Sequence, residues 1–355
     1  MVAVLGLAGV IWAGGHLIGV PRGVRAGALA ALFLAVVAVQ ITLPEGHALR
    51  AATGGGAAPW LVLGMAMAAV GGYRAGLGAL HRRAAAHEGS GGGSGGNGGT
   101  FSPAELERYA RHIVLREIGG PGQKRLKQAR VLVIGAGGLG SPALMYLAAA
   151  GVGRIGVIDD DIVDAANLQR QIIHTDARIG MAKVFSAEQA LRALNPHVEI
   201  RPYNRRLSPE IAQALLAEHD LVLDGSDNFT TRYLVNRAAV HAGVPLIGAA
   251  LTQWEGQISL YDPAHGTPCY QCVFPEQPAA GLAPACAEAG VAGPLPGILG
   301  AMMAMEAVKQ ITGAGATLAG RMLIHDALFG ESRTIALAPR AGCPVCAGVQ
   351  PPPER

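Results

Sequence analysis

Charged side chains are scarce in this chain. Asp, Glu, Lys and Arg make up 15% of its 355 residues, against about a quarter in an ordinary soluble domain. Part of the chain is therefore expected not to face water. Its formal net charge of +3 is too small to form the basic footprint of a nucleic-acid binder, so no nucleic-acid partner is expected. Five cysteines are too few for a disulfide-stapled secreted scaffold. Nor does a basic cluster precede the first apolar run, which argues against a cleaved signal peptide.

Apolar residues, by contrast, reach 50%, and the excess lies in the first 80 positions. Three runs, at residues 2–20, 26–43 and 58–80, are apolar all round and lack the one-sided stripe of a helix lying on a soluble core. At ~1.5 Å per residue, about 20 residues cross a hydrocarbon layer of ~30 Å. Three transmembrane helices are thus expected within a membrane region spanning residues 1–83. Arg22 and Arg25 follow the first run, and Arg82 and Arg83 follow the third. The positive-inside rule then places the first loop and everything after residue 83 in the cytoplasm, with the N-terminus outside. The expectation is a multi-pass protein of an inner or plasma membrane.

Residues 84–100 form a linker, and residues 89–100 alone carry eight glycines in twelve positions. Such a stretch cannot bury a core and behaves as a tether, or as a neutral spacer, spanning ~20 Å. From residue 101 the texture changes. Ser102 and Glu105 have the spacing of a capping box. Short apolar strands are expected at 130–134, 154–158, 197–202, 221–223, 244–248 and 257–261. Helical patterns fall at 142–150, 183–194, 209–218 and 230–242. This alternation predicts an α/β fold over residues 101–349: a Rossmann-like, doubly wound parallel sheet with helices on both faces.

The first strand runs into Gly135-Ala-Gly137-Gly138-Leu-Gly140, then Ser141 as N-cap and Pro142 opening a helix. Glycines are needed here because the turn is tight and phosphates must approach bare backbone, while the helix N-terminus offers free N–H groups. Asp159 stands 24 residues beyond Gly135, suited to accept from ribose hydroxyls. Alone, this pattern fits a nicotinamide dehydrogenase equally well. The cations Arg170 and Lys183 tip the balance, because a triphosphate carries more charge than a dinucleotide bridge. Cys269, Cys272, Cys343 and Cys346 form two C-x-x-C pairs, the donor set of one closed, structural zinc site. The alternative is unrelated redox pairs or free thiols.

These stretches together resemble the MoeB/ThiF/HesA family, bacterial relatives of ubiquitin-activating enzymes, over residues 106–346. The motifs are RYARH at 108–112, the glycine turn at 135–141, DDD at 159–161, NLQRQ at 167–171, GMAK at 180–183, DGSDN at 224–228 and CAEAG at 286–290. Within the family the likeness is strongest to the molybdopterin-synthase adenylyltransferases. The resemblance implies an ATP- and magnesium-dependent nucleotidyltransferase, with Gly138 under the phosphates. Asp159 and Asp161 with Asn167, Leu168, Gln169, Arg170 and Lys183 would surround the nucleotide. Asp227 would work with Mg²⁺, with Asn228 beside it. Arg111 would be contributed by a partner subunit, implying a homodimer.

The implied reaction is adenylation of the terminal glycine carboxylate of a ubiquitin-like sulfur carrier, of the molybdopterin-synthase small-subunit type, in molybdenum-cofactor biosynthesis. Alternatives are thiamine-type sulfur transfer, another adenylated substrate, or a non-catalytic membrane-tethered ATP binder. Cys286 is either a covalent sulfur or acyl acceptor, as in sulfur-transferring relatives, or a small buried hydrophobe. Residues 202–207 and 281–297 are expected as loops, the second crossing over the site. No further sulfur-transfer domain is expected after Cys346, so such a domain would be a separate protein.

Overall fold

The computed structural model describes residues 2–69, 71–73, 100–277 and 290–349. It divides into two compact units, Met1–Asn97 and Gly98–Arg355. The end of the third apolar run, Arg82, Arg83, most of the glycine-rich linker and Cys286 lie outside the described residues.

The first unit holds α1 (Val2–Leu17), α2 (Arg22–Thr42) and α3 (Ala48–Ala52), followed by a helix over residues 58–69. Here the expected three spans are corrected. Among the described residues one helix is long and apolar enough to cross a membrane, over Gly23–Thr42, with a mean hydropathy of 2.1. α1 stops at 16 residues, ~24 Å of rise, because the chain turns at Gly19 with φ 77°. Within this unit Gln40 is buried and donates to Thr53 Oγ1 at 2.7 Å, while Trp60 Nε1 donates to the Thr53 carbonyl at 3.0 Å. These bonds fold the loop after α2 back onto its end. Large apolar side chains such as Val10, Leu34 and Met65 remain exposed.

The second unit opens with α4 (Pro103–Arg108), α5 (Ala110–Ile113) and α6 (Gly119–Gln128). The capping box at Ser102 and Glu105 is present in both directions. Then come β1 (Arg130–Ile134), α7 (Gly140–Ala150), β2 (Arg154–Asp159), α8 (Lys183–Leu194), β3 (Glu199–Asn204) and α9 (Pro209–Ala217). β4 (Leu221–Asp224), α10 (Phe229–Ala242), β5 (Leu246–Leu251), β6 (Glu255–Tyr261), α11 (Tyr270–Val273), α12 (Pro294–Thr312), β7 (Arg321–Asp326) and β8 (Glu331–Ala336) complete it.

The eight strands form one sheet in the order β3-β2-β1-β4-β5-β6-β7-β8. It is mixed, which corrects the all-parallel expectation. β1 through β5 pair in parallel, whereas β5–β6, β6–β7 and β7–β8 are antiparallel. The reason is local: only three residues separate β5 from β6, too few for a crossover helix. β7 and β8 escaped the sequence reading because β8 is exposed throughout and carries no apolar alternation.

Period-2 alternation splits the core across two faces. Val131 and Val133 pack with α7, α8 and α12 on one side, while Leu132 and Ile134 pack with α9 and α10 on the other. Strand order reverses between β1 and β4, so a crevice opens at their carboxyl ends. α12 reaches that crevice because Gly300 has no side chain; a Cβ there would stand 2.3 Å from the Leu139 carbonyl oxygen.

Candidate functional site

A cavity of about 900 Å³ occupies this crevice. Its floor is the glycine turn after β1. Gly135 takes φ 90° and its bare Cα faces Gly225 of the neighbouring strand end, whose carbonyl oxygen would be 3.3 Å from any Cβ. A side chain at Gly140 would collide with the Gly135 carbonyl at 1.9 Å. The turn is therefore tight for steric reasons, as expected. Ser141 corrects the expectation of a cap: Leu139 already has helical dihedrals, so the helix starts earlier and Ser141 is wholly buried in its first turn.

The acidic end of β2 holds the turn in place. Asp159 accepts from the Ala136 N–H and from the Asp161 N–H, both at 2.8 Å. Asn167 Oδ1 accepts from the Arg170 guanidinium at 2.7 Å. Lys183, at the first position of α8 and 5% exposed, gives its ammonium to Asp161 at 2.8 Å. Gly135, Gly137, Gly138, Asp159, Asp161 and Asn167 all line the cavity, as do Arg170, Lys183, Asp227 and Asn228. Asn228 also caps α10, accepting from the Thr231 N–H at 2.9 Å.

Three expected contacts do not line the cavity: Gly140, which underlies the turn from inside the α7 start, and the pair Leu168 and Gln169. Gln169 instead packs against Gly293, which precedes α12. Arg111, expected to serve a partner subunit's site, is exposed on α5 and does not line its own chain's cavity.

Sequence reasoning missed four cationic or polar groups. Arg205 and Arg206 line the cavity because β3 runs on to Asn204, in place of the loop expected at 202–207. Arg206 stands 3.6 Å from Asp160. Arg232 donates to the Ser226 carbonyl at 2.8 Å and faces the buried Asp224. Burial pushes the Asp224 carboxyl above its ordinary range, partly offset by Arg232. The fourth is His174, buried beside the glycine turn. Of the expected loop at 281–297, Gly290, Val291 and Pro296 line the cavity, but Pro294 already begins α12.

Away from the cavity the four cysteines converge. Cys269 Sγ is 3.8 Å from Cys272 and 3.7 Å from Cys343, and Cys272 is 3.3 Å from Cys346. All four sulfurs lie within 4.8 Å of one another and are buried. A tetrahedron with bonds of ~2.3 Å has edges of about 3.8 Å, so the donor set fits a zinc-sized ion. Burial raises the Cys343 thiol, but the N–H groups of Val345 and Cys346 together with the Cys272 and Cys346 sulfurs outweigh it and bring it down to about 6. Cys269 is pushed up to about 11, chiefly by burial.

The fold and cavity define a nucleotide-binding α/β protein with a tetracysteine cluster. The ThiF family model matches residues 109–345, and the chain belongs to that family. It is 48% identical over 250 residues to the sulfur carrier protein adenylyltransferase of Thermus thermophilus, covering 69% of this chain and 92% of the relative. It is 50% identical over 240 residues to the probable adenylyltransferase/sulfurtransferase MoeZ of Mycobacterium tuberculosis, but spans 61% of that protein's length against 67% of its own. The SAMP-activating enzyme of Haloferax volcanii is 45% identical over 247 residues, 70% of this chain and 91% of the relative. Among solved structures, MccB of E. coli superposes with a TM-score of 0.60 at 21% identity, covering 70% of this chain and 74% of MccB. That likeness concerns the fold alone.

Proposed function

We propose that this chain is an ATP-dependent adenylyltransferase. It activates the C-terminal glycine carboxylate of a ubiquitin-like sulfur carrier, of the kind used by a molybdopterin synthase. The observation that carries the reading is the convergence of Gly138, Asp159, Asn167, Arg170, Lys183 and Asp227 on one cavity at the strand-order reversal. The name of the Thermus relative supports the substrate class, and that of the Mycobacterium relative supports the adenylyl-transfer chemistry.

In this mechanism the glycine turn and the α7 N-terminus take the phosphates, and Asp159 orients the ribose. The carrier's terminal carboxylate attacks the α-phosphorus. The new acyl–phosphate bond forms as the bond to the β-phosphate oxygen breaks, and pyrophosphate leaves. No general base is needed, since a carboxylate is already ionised at neutral pH. Arg170 and Lys183 neutralise charge that builds on the phosphates, so catalysis rests on positioning and electrostatics. Asp227 is an exposed carboxylate beside the phosphate cradle, a donor that suits magnesium together with substrate oxygens; the ion, when held there, supplies further charge neutralisation. Arg111 completes the site of a partner subunit in a homodimer, which accounts for its exposure outside its own chain's cavity. The cysteine cluster holds one structural zinc ion. The first unit anchors the enzyme to a membrane, a reading supported by α2.

The test is exchange of labelled pyrophosphate into ATP. Exchange should require magnesium and a carrier with a free Gly-Gly end, and should be lost in Asp227→Ala. Exchange that persists unchanged in Asp227→Ala overturns the mechanism. Anchoring is tested separately: the full chain should stay in the membrane pellet through alkaline carbonate washing, and its release would refute it.

A further inference from the structure

His174 belongs to none of the roles above, yet it bridges two parts of the cavity wall. It sits on the connection between Arg170 and Lys183, and it is 5% exposed. Its Nε2 lies 2.9 Å from the carbonyl oxygen of Ala136, in the middle of the glycine turn. Its Nδ1 lies 2.9 Å from Ser186 Oγ on α8, three residues after Lys183.

A carbonyl oxygen only accepts, so Nε2 carries a proton. The Ser186 hydroxyl can serve either form of the ring, and in the neutral imidazole it donates to Nδ1. The surroundings favour the neutral form: burial, with Lys183 and Arg178 nearby, draws the imidazole below its ordinary range, although the Ala136 carbonyl and Asp159 pull the other way. The two peptide groups that flank the Ala136 Cα are thereby both held. The Ala136 N–H is taken by Asp159 and the Ala136 carbonyl by His174. His174 also donates its own N–H to the Gln171 carbonyl at 3.1 Å, next to Arg170.

We propose that His174 is a positioning residue for the nucleotide. It ties the glycine turn, which takes the phosphates, to the helix that carries Lys183, and so sets the distance between cradle and cation. It touches no reacting atom. The proposal rests on the ATP-binding reading of the cavity and deepens it. An unpaired Ala136 carbonyl would let the turn rotate to find another donor, and the N–H groups that face phosphate would move with it.

Two polar variants separate positioning from general packing. The amide nitrogen of Gln reaches the place of Nε2, whereas that of Asn reaches only the place of Nδ1. In pyrophosphate exchange by the full-length protein, His174→Gln should keep KM for ATP within about threefold of the parent, while His174→Asn raises it about tenfold, the cost of one unpaired buried carbonyl. Melting temperatures of the two variants should differ little. His174→Leu, which serves neither partner, should raise KM at least as far as Asn. Equal KM values in the Gln and Asn variants overturn the proposal. If the parent itself neither binds ATP nor catalyses exchange, the functional reading fails instead, and the two failures are thus distinct.

Discussion

Lys183 and Asp161 form an ion pair of 2.8 Å in which the lysine is 5% exposed and the carboxylate 67% exposed. The asymmetry has a consequence. The ammonium is anchored in the cavity wall, while its present partner stands in solvent and can yield to an incoming phosphate. Replacing Lys183 with Met keeps the buried apolar stem and removes the ammonium with its charge. Pyrophosphate exchange should fall by about two to three orders of magnitude in kcat, the usual cost of losing one preorganised charge at a reacting phosphate. A drop of less than tenfold would remove Lys183 from the mechanism.

Arg111 provides a test of subunit assembly. Neither Arg111→Ala nor Asp227→Ala should be active alone. When the two are unfolded and refolded together in equal amounts, random pairing makes half the dimers mixed, each with one complete site, so activity should return to about a quarter of the parent's. No recovery in such a mixture would place Arg111 within its own subunit's site, whereas full activity of Arg111→Ala alone would remove it from the chemistry.

The cysteine cluster predicts a metal content of about one zinc per chain, measured by atomic emission. Cys343→Ser should lose the metal and lower the melting temperature, because the closed site ties the C-terminal turn to α11. Activity of whatever folds should change less than stability, since the cluster does not line the cavity. Unchanged zinc in Cys343→Ser would refute the assignment.

His219 predicts a pH dependence of stability. It is buried, donates through Nδ1 to the Leu215 carbonyl at 2.8 Å, and its Nε2 faces Gly156 without a partner. Burial lowers its folded-state pKa below 6.5. The unfolded chain therefore binds more protons just below that pH, and stability falls as the solution is acidified through it. Asp224, raised by burial, acts in the opposite sense, so the effect is best read as a difference. The loss of melting temperature between about pH 7 and about pH 5.5 should be smaller in His219→Asn, which keeps the donor to Leu215 and cannot titrate. Equal losses in the two proteins would show that His219 does not contribute.

Much of the nucleotide site was legible from the sequence because it is built locally. The turn from Gly135 to Gly140 needs glycines for backbone reasons that any reader of the chain can state, and Asp159 follows at strand-plus-helix spacing. Lys183 was found at the first residue of its helix, and the four cysteines announced their convergence by paired spacing. Arg205, Arg206 and Arg232 were not found. Their roles depend on where β3 ends and on which strands are neighbours, and an arginine carries no periodic signal of either.

The sequence by itself determined the chemistry on offer: a phosphate cradle, two cations, an acidic strand end, four thiolates and an apolar N-terminal stretch. The tertiary structure decided what faces what. It made the sheet mixed, because only three residues join β5 to β6. It left one span of sufficient length among the described residues of the first unit. It also set His174 between Ala136 and Ser186. Those outcomes depend on register, turn length and crossover geometry, which couple residues far apart in the chain. The composition of a segment cannot encode them.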